Sequence, residues 1–340
     1  MKLHLLKRLA CPACRGELEF ATLDDYPRED VEIESGGLRC KVCSQEYPIE
    51  ESIPRFFART GDGRMLRTRD SFGYEWLRYP GGRPQDKAIF LEETQIPEGD
   101  WAGRFVLDAG CGMGRYTAVA LSLGAEVVSF DLSESLRRLV PVSRETGSLH
   151  VVQGDLLHPP FKRGVFDIVY SQGVIHHTPD AKAAFGQIAA LTRRDGIITV
   201  WVYGTPGSFE SFSSNPVRAG RDWVRRHLRL AWAVVWTRQL LSDGLRLLTT
   251  RLPVGLLYLL CHPLAFLGAF PLLKYLTFSV ERDFKVRLIE NFDWLAPPFQ
   301  SKHTKEEMRA WFSEAGCEVV RQLPHGLVPK VGMVGRRRDS

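Results

Sequence analysis

The run Val106-Leu107-Asp108-Ala109-Gly110-Cys111-Gly112-Met113-Gly114-Arg115-Tyr116 constrains this chain more than any other stretch. An apolar strand passes an acidic residue, turns through three glycines on alternate positions and opens into a helix. Glycine has no Cβ and tolerates positive φ, so such a turn lets the backbone approach a bulky ligand closely. The spacing excludes one class of site. A dinucleotide fingerprint reads G-x-G-x-x-G, and its third glycine would fall on Arg115. Alone, the turn is equally compatible with tight packing of a strand on a helix.

Further signals follow in order, at the spacing of βα units. Val127-Val128-Ser129-Phe130 ends at Asp131, where a carboxylate after a second strand meets ribose hydroxyls in doubly wound folds. Val151-Val152-Gln153-Gly154-Asp155-Leu156 marks a third strand end. Phe166-Asp167-Ile168-Val169-Tyr170-Ser171 is a fourth strand, trailed by Gly173-Val174-Ile175-His176-His177-Thr178-Pro179-Asp180, and residues 197–203 read as a fifth. Asp131 or Asp155 by itself would read as a helix cap. Together the D-x-G-x-G-x-G turn and these motifs resemble class I S-adenosylmethionine-dependent methyltransferases. The resemblance covers about half the chain and implies an α/β, Rossmann-like, seven-stranded fold. It also implies S-adenosylmethionine as cofactor, bound through Asp108, Gly110, Gly112, Gly114, Asp131, Leu132, Asp155, Leu156 and Ser171. Within that set, Asp131 would hold the ribose and Asp155 the adenine amino group.

At 340 residues the chain has room for two domains, and 44% hydrophobic with 25% charged residues is ordinary for a globular protein. The net charge of +5 is a mild bias towards anionic partners and identifies none. Residues 1–10 carry scattered basic residues without a long apolar core, so a cytoplasmic location is expected. Seven cysteines, four of them in CxxC pairs, suit a reducing compartment better than a disulfide framework.

Those pairs are Cys11-Pro12-Ala13-Cys14 and Cys40-Lys41-Val42-Cys43. Each CxxC can form a knuckle presenting two thiolates, and two knuckles close a tetrahedral Zn²⁺ site; a redox CxxC is the rival reading. With four thiolates and no open position, the zinc would be structural. A β-hairpin through residues 31–38 would accommodate the intervening length. The segment resembles the ribbon of the small activator subunit of some tRNA and protein methyltransferases. It shares Leu-Ala-Cys-Pro-Ala-Cys, Leu-Arg-Cys-Lys-Val-Cys and the trailing Tyr-Pro-Ile-Glu-Glu-Ser-Ile-Pro. Fused to an enzyme, it would brace that enzyme from within, or else recognise RNA.

The remaining chain divides into 1–58 (zinc ribbon), 59–100 (linker and cofactor-covering segment), 101–203 (core), 204–303 (helical lid or acceptor insert) and 304–340 (completion of the core). In 59–100, Tyr74 and Trp76 are candidates to screen a bound sulfonium from water, or simple packing residues. Thr304-Lys305-Glu306-Glu307 is a capping-box pattern for a helix stopping at Gly316, and 317–323 and 328–334 are expected hairpin strands. In the insert, Arg218, Arg221, Arg225 and Arg229 fall on one helical face. Residues 252–273 hold no formally charged side chain, yet Pro253, Pro263 and Pro271 should break them into short helices. A single membrane span would divide the sheet across the bilayer. A buried helical lid is therefore expected, with peripheral membrane contact through 218–273 as the alternative.

Methyl transfer is an in-line displacement, so the protein must align the acceptor and, where needed, take its proton. His176 and His177 are candidate bases; they would equally cap the next helix or shape the pocket. Residues 291–304, with Asp293 and His303, are candidates to line the acceptor pocket or to pin the insert to the sheet. The expected partner is a small or lipid-like acceptor methylated at oxygen, nitrogen or carbon. An RNA substrate gripped by ribbon and arginine face, and a cofactor-binding module without turnover, are the alternatives.

Overall fold

The computed structural model describes residues 1–21, 32–57, 62–79, 81–205, 228–271, 273–279, 281–323 and 330–338. A short helix α1 (Leu3–Leu6) leads into a four-stranded antiparallel sheet, β1 (Leu18–Phe20), β2 (Gly36–Cys40), β3 (Glu46–Glu50) and β4 (Ile53–Pro54). The strands β1 and β2 flank the intervening length, where a hairpin within 31–38 was expected; residues 22–31 lie outside the described residues. Helices α2 (Gly63–Arg78) and α3 (Asp86–Thr94) connect this ribbon to the main domain.

There, β5 (Phe105–Ala109), α4 (Arg115–Ser122), β6 (Glu126–Asp131), α5 (Val140–Glu145), β7 (Leu149–Gln153), β8 (Phe166–Gln172), α6 (Ala181–Ala189) and β9 (Thr192–Tyr203) alternate as βα units. Strands β10 (Cys317–Gln322) and β11 (Lys330–Arg337) complete a sheet of order β10-β11-β9-β8-β5-β6-β7. Strands β5 to β9 are parallel, and β11 enters antiparallel between β9 and β10. The chain order reverses beside β5, so a crevice opens at the carboxyl ends of β5 and β8. This is the expected seven-stranded, class I methyltransferase fold. The apolar runs read as strands are those buried on both faces: Val106, Leu107, Val127, Val128, Val169 and Ile198 are inaccessible.

The ribbon is fused to this domain through its core. Leu5, Leu9, Leu38, Tyr47, Ile49 and Phe56 pack in one cluster with Phe105, Phe130 and Phe161. Backbone bonds join Ala10 N to Pro160 O (2.9 Å), Lys162 N to Arg8 O (2.9 Å) and Phe56 N to Gln153 O (2.8 Å). The last of these lays the chain after β4 along β7, the open edge of the large sheet. The Arg15 guanidinium donates to the carbonyls of Pro159 and Phe161, both at 2.8 Å.

Residues 204–303 leave and return at one point, where Thr205 N bonds His303 O (3.0 Å) and His303 N bonds Tyr203 O (2.9 Å). Between lie α7 (Leu228–Thr249), α8 (Val254–Leu267) and α9 (Phe284–Leu295). Pro253 stands as the N-cap of α8, but Pro263 lies within α8 and does not end it, contrary to the sequence reading. Proline at 263 removes the donor that would have met Leu259 O. The His262 ring takes that place, with Nδ1 at 3.2 Å from Leu259 O and 3.0 Å from Tyr258 O.

Leu257, Cys261 and Ala265 of α8 pack on Leu288, Phe292 and Leu295 of α9. The opposite faces are not buried. Trp236, Leu240, Leu247 and Leu248 of α7 and Leu256, Leu259, Leu260 and Phe266 of α8 are exposed. Among the described residues, no helix is long and apolar enough to cross a membrane. Arg218, Arg221 and Arg225, and the side chain of Arg229, lie outside the described residues.

Candidate active site

The glycine turn sits at the carboxyl end of β5. Gly110, Gly112 and Gly114 all take positive φ (88°, 55° and 85°), the region only glycine adopts without strain. A Cβ on Gly110 would stand 2.3 Å from Val174 Cγ1, and one on Gly114 2.2 Å from Leu139 Cδ2. Gly112 faces the Trp76 indole, which would lie 3.3 Å from an added Cβ. Asp131, the last residue of β6, closes the turn. Its carboxylate accepts from Gly112 N (2.8 Å), Ser133 N (2.8 Å) and Ser133 Oγ (2.7 Å), while burial pushes its pKa up.

The other residues of the expected cofactor set divide by where their polar atoms go. Asp108 is buried under the turn, accepting from Thr117 Oγ1 (2.7 Å), and burial pushes it up to about 7. It therefore braces the turn from below. Ser171 Oγ donates to Ala109 O (2.8 Å), tying β8 to β5. Leu132 O accepts from Gln153 Nε2 (3.0 Å). Asp155 Oδ1 accepts from Leu157 N (3.0 Å), capping its own turn, and Leu156 packs into the core shared with the ribbon.

Helix α2 crosses above the turn, held by Arg138, whose guanidinium donates to Trp76 O (2.9 Å) and Tyr79 O (2.8 Å). The two aromatic candidates on α2 separate. Trp76 clusters with Tyr79, with Met113 of the glycine turn and with Ile289 of α9. Tyr74 turns to the insert instead, 5.2 Å from the Tyr258 ring and 6.2 Å from Phe292. Between them Glu75 is buried, its Oε2 without a hydrogen-bond partner among the described residues.

Glu75 was not singled out in the sequence. Burial, with Asp293 and Glu290 of α9 close by, raises its pKa well above the carboxylate range. Burial also pushes Glu290 up to about 7 and Asp293 up to about 6, the latter against an opposing pull from Arg246. A trace existed in the sequence: Thr68, Ser71 and Glu75 share one helical face, and all three are buried. That inner face is polar where an apolar stripe is the rule.

The histidine pair lies just after β8, against Tyr203. His176 is inaccessible, 4.0 Å from the Tyr203 ring and 5.9 Å from Trp201, and neither ring nitrogen has a partner among the described residues. Burial keeps it neutral. His177 Nδ1 stands 2.9 Å from Phe299 O. A carbonyl only accepts, so Nδ1 carries the proton and Nε2 keeps its lone pair. Burial lowers this ring to about 4. The 291–304 stretch contributes Phe299 O to that bond, Asp293 beside Glu75 and Trp294, 6.2 Å from Tyr203. The His303 ring packs on Trp311 and meets Ser301 Oγ at 2.8 Å, while its backbone bonds Tyr203.

The two CxxC knuckles converge in the ribbon. Cys11 Sγ is 3.7 Å from Cys43 Sγ and Cys14 Sγ 3.4 Å from Cys40 Sγ, with all four within 4.8 Å of one another. Zinc–sulfur bonds of 2.3 Å put tetrahedral thiolates about 3.8 Å apart, so this donor set fits the ion. Left-handed Arg15 (φ 65°) and Ser44 (φ 59°) follow the pairs and bend each knuckle back.

Comparison with known proteins agrees with both parts. The family described as "Trm112p-like protein" matches residues 2–52, and the family described as "Methyltransferase domain" matches residues 107–200. Magnesium-protoporphyrin O-methyltransferase of Rhodobacter capsulatus is 32% identical over 164 residues, covering 46% of this chain and 67% of that protein. The chain belongs to the S-adenosylmethionine-dependent methyltransferases. Ubiquinone biosynthesis O-methyltransferase of Bordetella avium is 30% identical over 132 residues, 37% of this methyltransferase and half of that one. A solved 1,6-didemethyltoxoflavin-N1-methyltransferase of Burkholderia thailandensis is 18% identical, with a TM-score of 0.45 over 90% of this chain and 100% of its own. The methyltransferase family match ends at residue 200, so α7, α8 and α9, among them the helices that carry Tyr258, Phe292 and Trp294, lie beyond it.

Proposed function

We propose that this methyltransferase passes the methyl group of S-adenosylmethionine to a small or lipid-like acceptor held between α2, α9 and the ends of β8 and β9. The cluster of aromatic side chains there is the observation that carries the reading. Tyr74, Tyr258, Phe292, Tyr203 and Trp294 bring aromatic walls from four elements to the carboxyl end of the sheet, beside the glycine turn. Few polar groups set in aromatic walls is the usual composition of a small-molecule site. The relatives named for magnesium-protoporphyrin and ubiquinone biosynthesis support a metabolite acceptor.

In this reading the bound cofactor supplies an activated methyl group. Gly110, Gly112 and Gly114 let the backbone approach it, Asp131 accepts the ribose hydroxyls and Trp76 screens it from water. His177 is the candidate base. Its tautomer is fixed by Phe299 O, which leaves the Nε2 lone pair facing away from that carbonyl. Burial, which lowers the ring to about 4, makes it a weak base that a bound acceptor's charge would have to strengthen. His176, walled in by Tyr203 and Trp201, shapes the acceptor site. We propose further that Cys11, Cys14, Cys40 and Cys43 hold one structural Zn²⁺. The ribbon then braces the enzyme, a role supported by its shared core with the sheet.

Calorimetric titration with S-adenosylmethionine tests the cofactor site. Asp131→Ala should weaken binding about 10- to 100-fold, the cost of a lost charge-assisted hydrogen bond, while the fold stays intact by circular dichroism. Asp131→Asn, which keeps an acceptor for Gly112 N, should lose less. Unchanged affinity in a folded Asp131→Ala protein would refute the assignment.

A further inference from the structure

The described residues contain a second convergence of metal-ligating atoms, remote from the thiolates and from the aromatic cluster. His4 Nε2 lies 3.2 Å from His150 Nε2, His150 Nε2 lies 3.0 Å from Glu126 Oε1, and His4 Nε2 lies 3.5 Å from the same Glu126 oxygen. His4 belongs to α1 of the ribbon, Glu126 opens β6, and His150 is the second residue of β7. Three electron-pair donors from two parts of the molecule thus face one point.

We propose that His4, Glu126 and His150 form a divalent-metal site, zinc being the fitting ion, that clasps the ribbon to the sheet. With bonds of 2.0–2.2 Å, two nitrogen or oxygen ligands of a tetrahedral zinc stand about 3.3–3.6 Å apart, close to the three separations here. Protons alone satisfy the cluster poorly. With both rings neutral, His150 Nε2 either carries a proton for Glu126 or offers a lone pair to His4, and cannot do both. A cation accepts all three lone pairs at once. Two imidazoles and a carboxylate are borderline ligands that suit zinc.

The two neighbouring cations, whose charges both reach Glu126, each have another partner. The Lys2 ammonium donates to the carbonyls of Thr146 and Leu149, and the Arg8 guanidinium stacks on Phe105 at 3.7 Å. The His150 side chain is buried, whereas those of His4 and Glu126 are 41% and 35% exposed. Solvent therefore reaches the site and can fill the fourth position with water. The cluster lies at the amino ends of β6 and β7, while Asp131 and the glycine turn lie at the carboxyl ends of the strands. The ion is thus a fastener between ribbon and sheet, remote from methyl transfer.

Metal analysis of the untagged full chain, dialysed against micromolar zinc and then metal-free buffer, tests the proposal. The expected result is two zinc ions per chain, falling to one in His4→Ala and in Glu126→Gln. With zinc retained at the four thiolates, cobalt added to the wild type should give d–d bands without thiolate charge-transfer absorption, and His4→Ala should not show them. Zinc should also raise the melting temperature of the wild type more than that of His4→Ala, whose altered side chain is partly exposed. One zinc per chain in the wild type, or equal zinc content in wild type and His4→Ala, overturns it. Neither result bears on the cofactor site, which is read by S-adenosylmethionine binding.

Discussion

Burial pushes Asp293 up to about 6 and Glu290 up to about 7, and both would titrate near 4 in an unfolded chain. A raised carboxyl pKa means that the native state binds more protons across that interval. The stability these groups contribute is therefore complete below pH 4 and lost as pH rises through 6 to 7. Asp293→Asn should accordingly stabilise the protein by about 1–3 kcal/mol at pH 8 and leave it unchanged at pH 4, as read by urea unfolding at both values. An equal effect at the two pH values would contradict the shift. Arg246, which pulls Asp293 the other way, keeps Asp243 as a partner in the variant at 2.7 Å. The contrast between Asp131 and Glu75 shows what a sequence can carry at this scale. The place of Asp131 was legible because it depends on local distance from a glycine turn on the neighbouring strand. Glu75 was not, because its burial is completed by Glu290 and Asp293, which arrive more than 200 residues later. The polar face shared by Thr68, Ser71 and Glu75 was the local mark, but it does not say which distant helix covers it.

Among the elements, the helix at Lys305–Glu314 was the most legible, because its start is written in four consecutive residues. Thr304 Oγ1 accepts from Glu307 N (3.1 Å) and Glu307 Oε2 from Thr304 N (2.8 Å), the two halves of a capping box. Thr304→Ala should cost about 1 kcal/mol in a denaturant titration, and Thr304→Ser should recover most of it. A loss below a few tenths would show that packing of Met308, Trp311 and Phe312 dominates that helix. Two element readings missed for identifiable reasons. Strand β9 begins at Thr192, ahead of the expected 197, because the Arg-Arg-Asp-Gly stretch that reads as a turn is carried through the pairing with β8 as an irregularity. Asp195 there takes a left-handed φ of 59°. Helix α8 runs through Pro263 because the preceding histidine side chain occupies the carbonyl that proline abandons. The first is a backbone irregularity and the second a side-chain repair, and each shows only once the partner is in place.

At the scale of the molecule, ribbon and enzyme share one apolar core, so the proposed zinc should support both. Cys14→Ser, or chelation of the metal, should lower the melting temperature of the whole protein in a single transition, as followed by calorimetry. A separate low-temperature transition, with the main one unmoved, would mean that the ribbon is an independent appendage. The seven-stranded fold class and the two motif-bearing segments were legible at this scale, whereas the outward apolar faces of α7 and α8 were not. Periodicity alone does not say which side of a leucine-rich helix has a partner. The lie of the chain after β4 along β7 also bears on how the protein is made. Arg55 meets Gln153 across 98 residues of sequence, whereas Cys11 and Cys43 are 32 apart. At roughly 5–20 residues per second, the ribosome delivers the strand roughly 5–20 s after the ribbon has emerged. During that interval the underside of the ribbon, with Leu9, Tyr47 and Phe56, has no sheet to cover it on the nascent chain. Metal capture needs only local closure and can fix the ribbon's shape first, leaving a finished template on which the edge of the sheet is laid down.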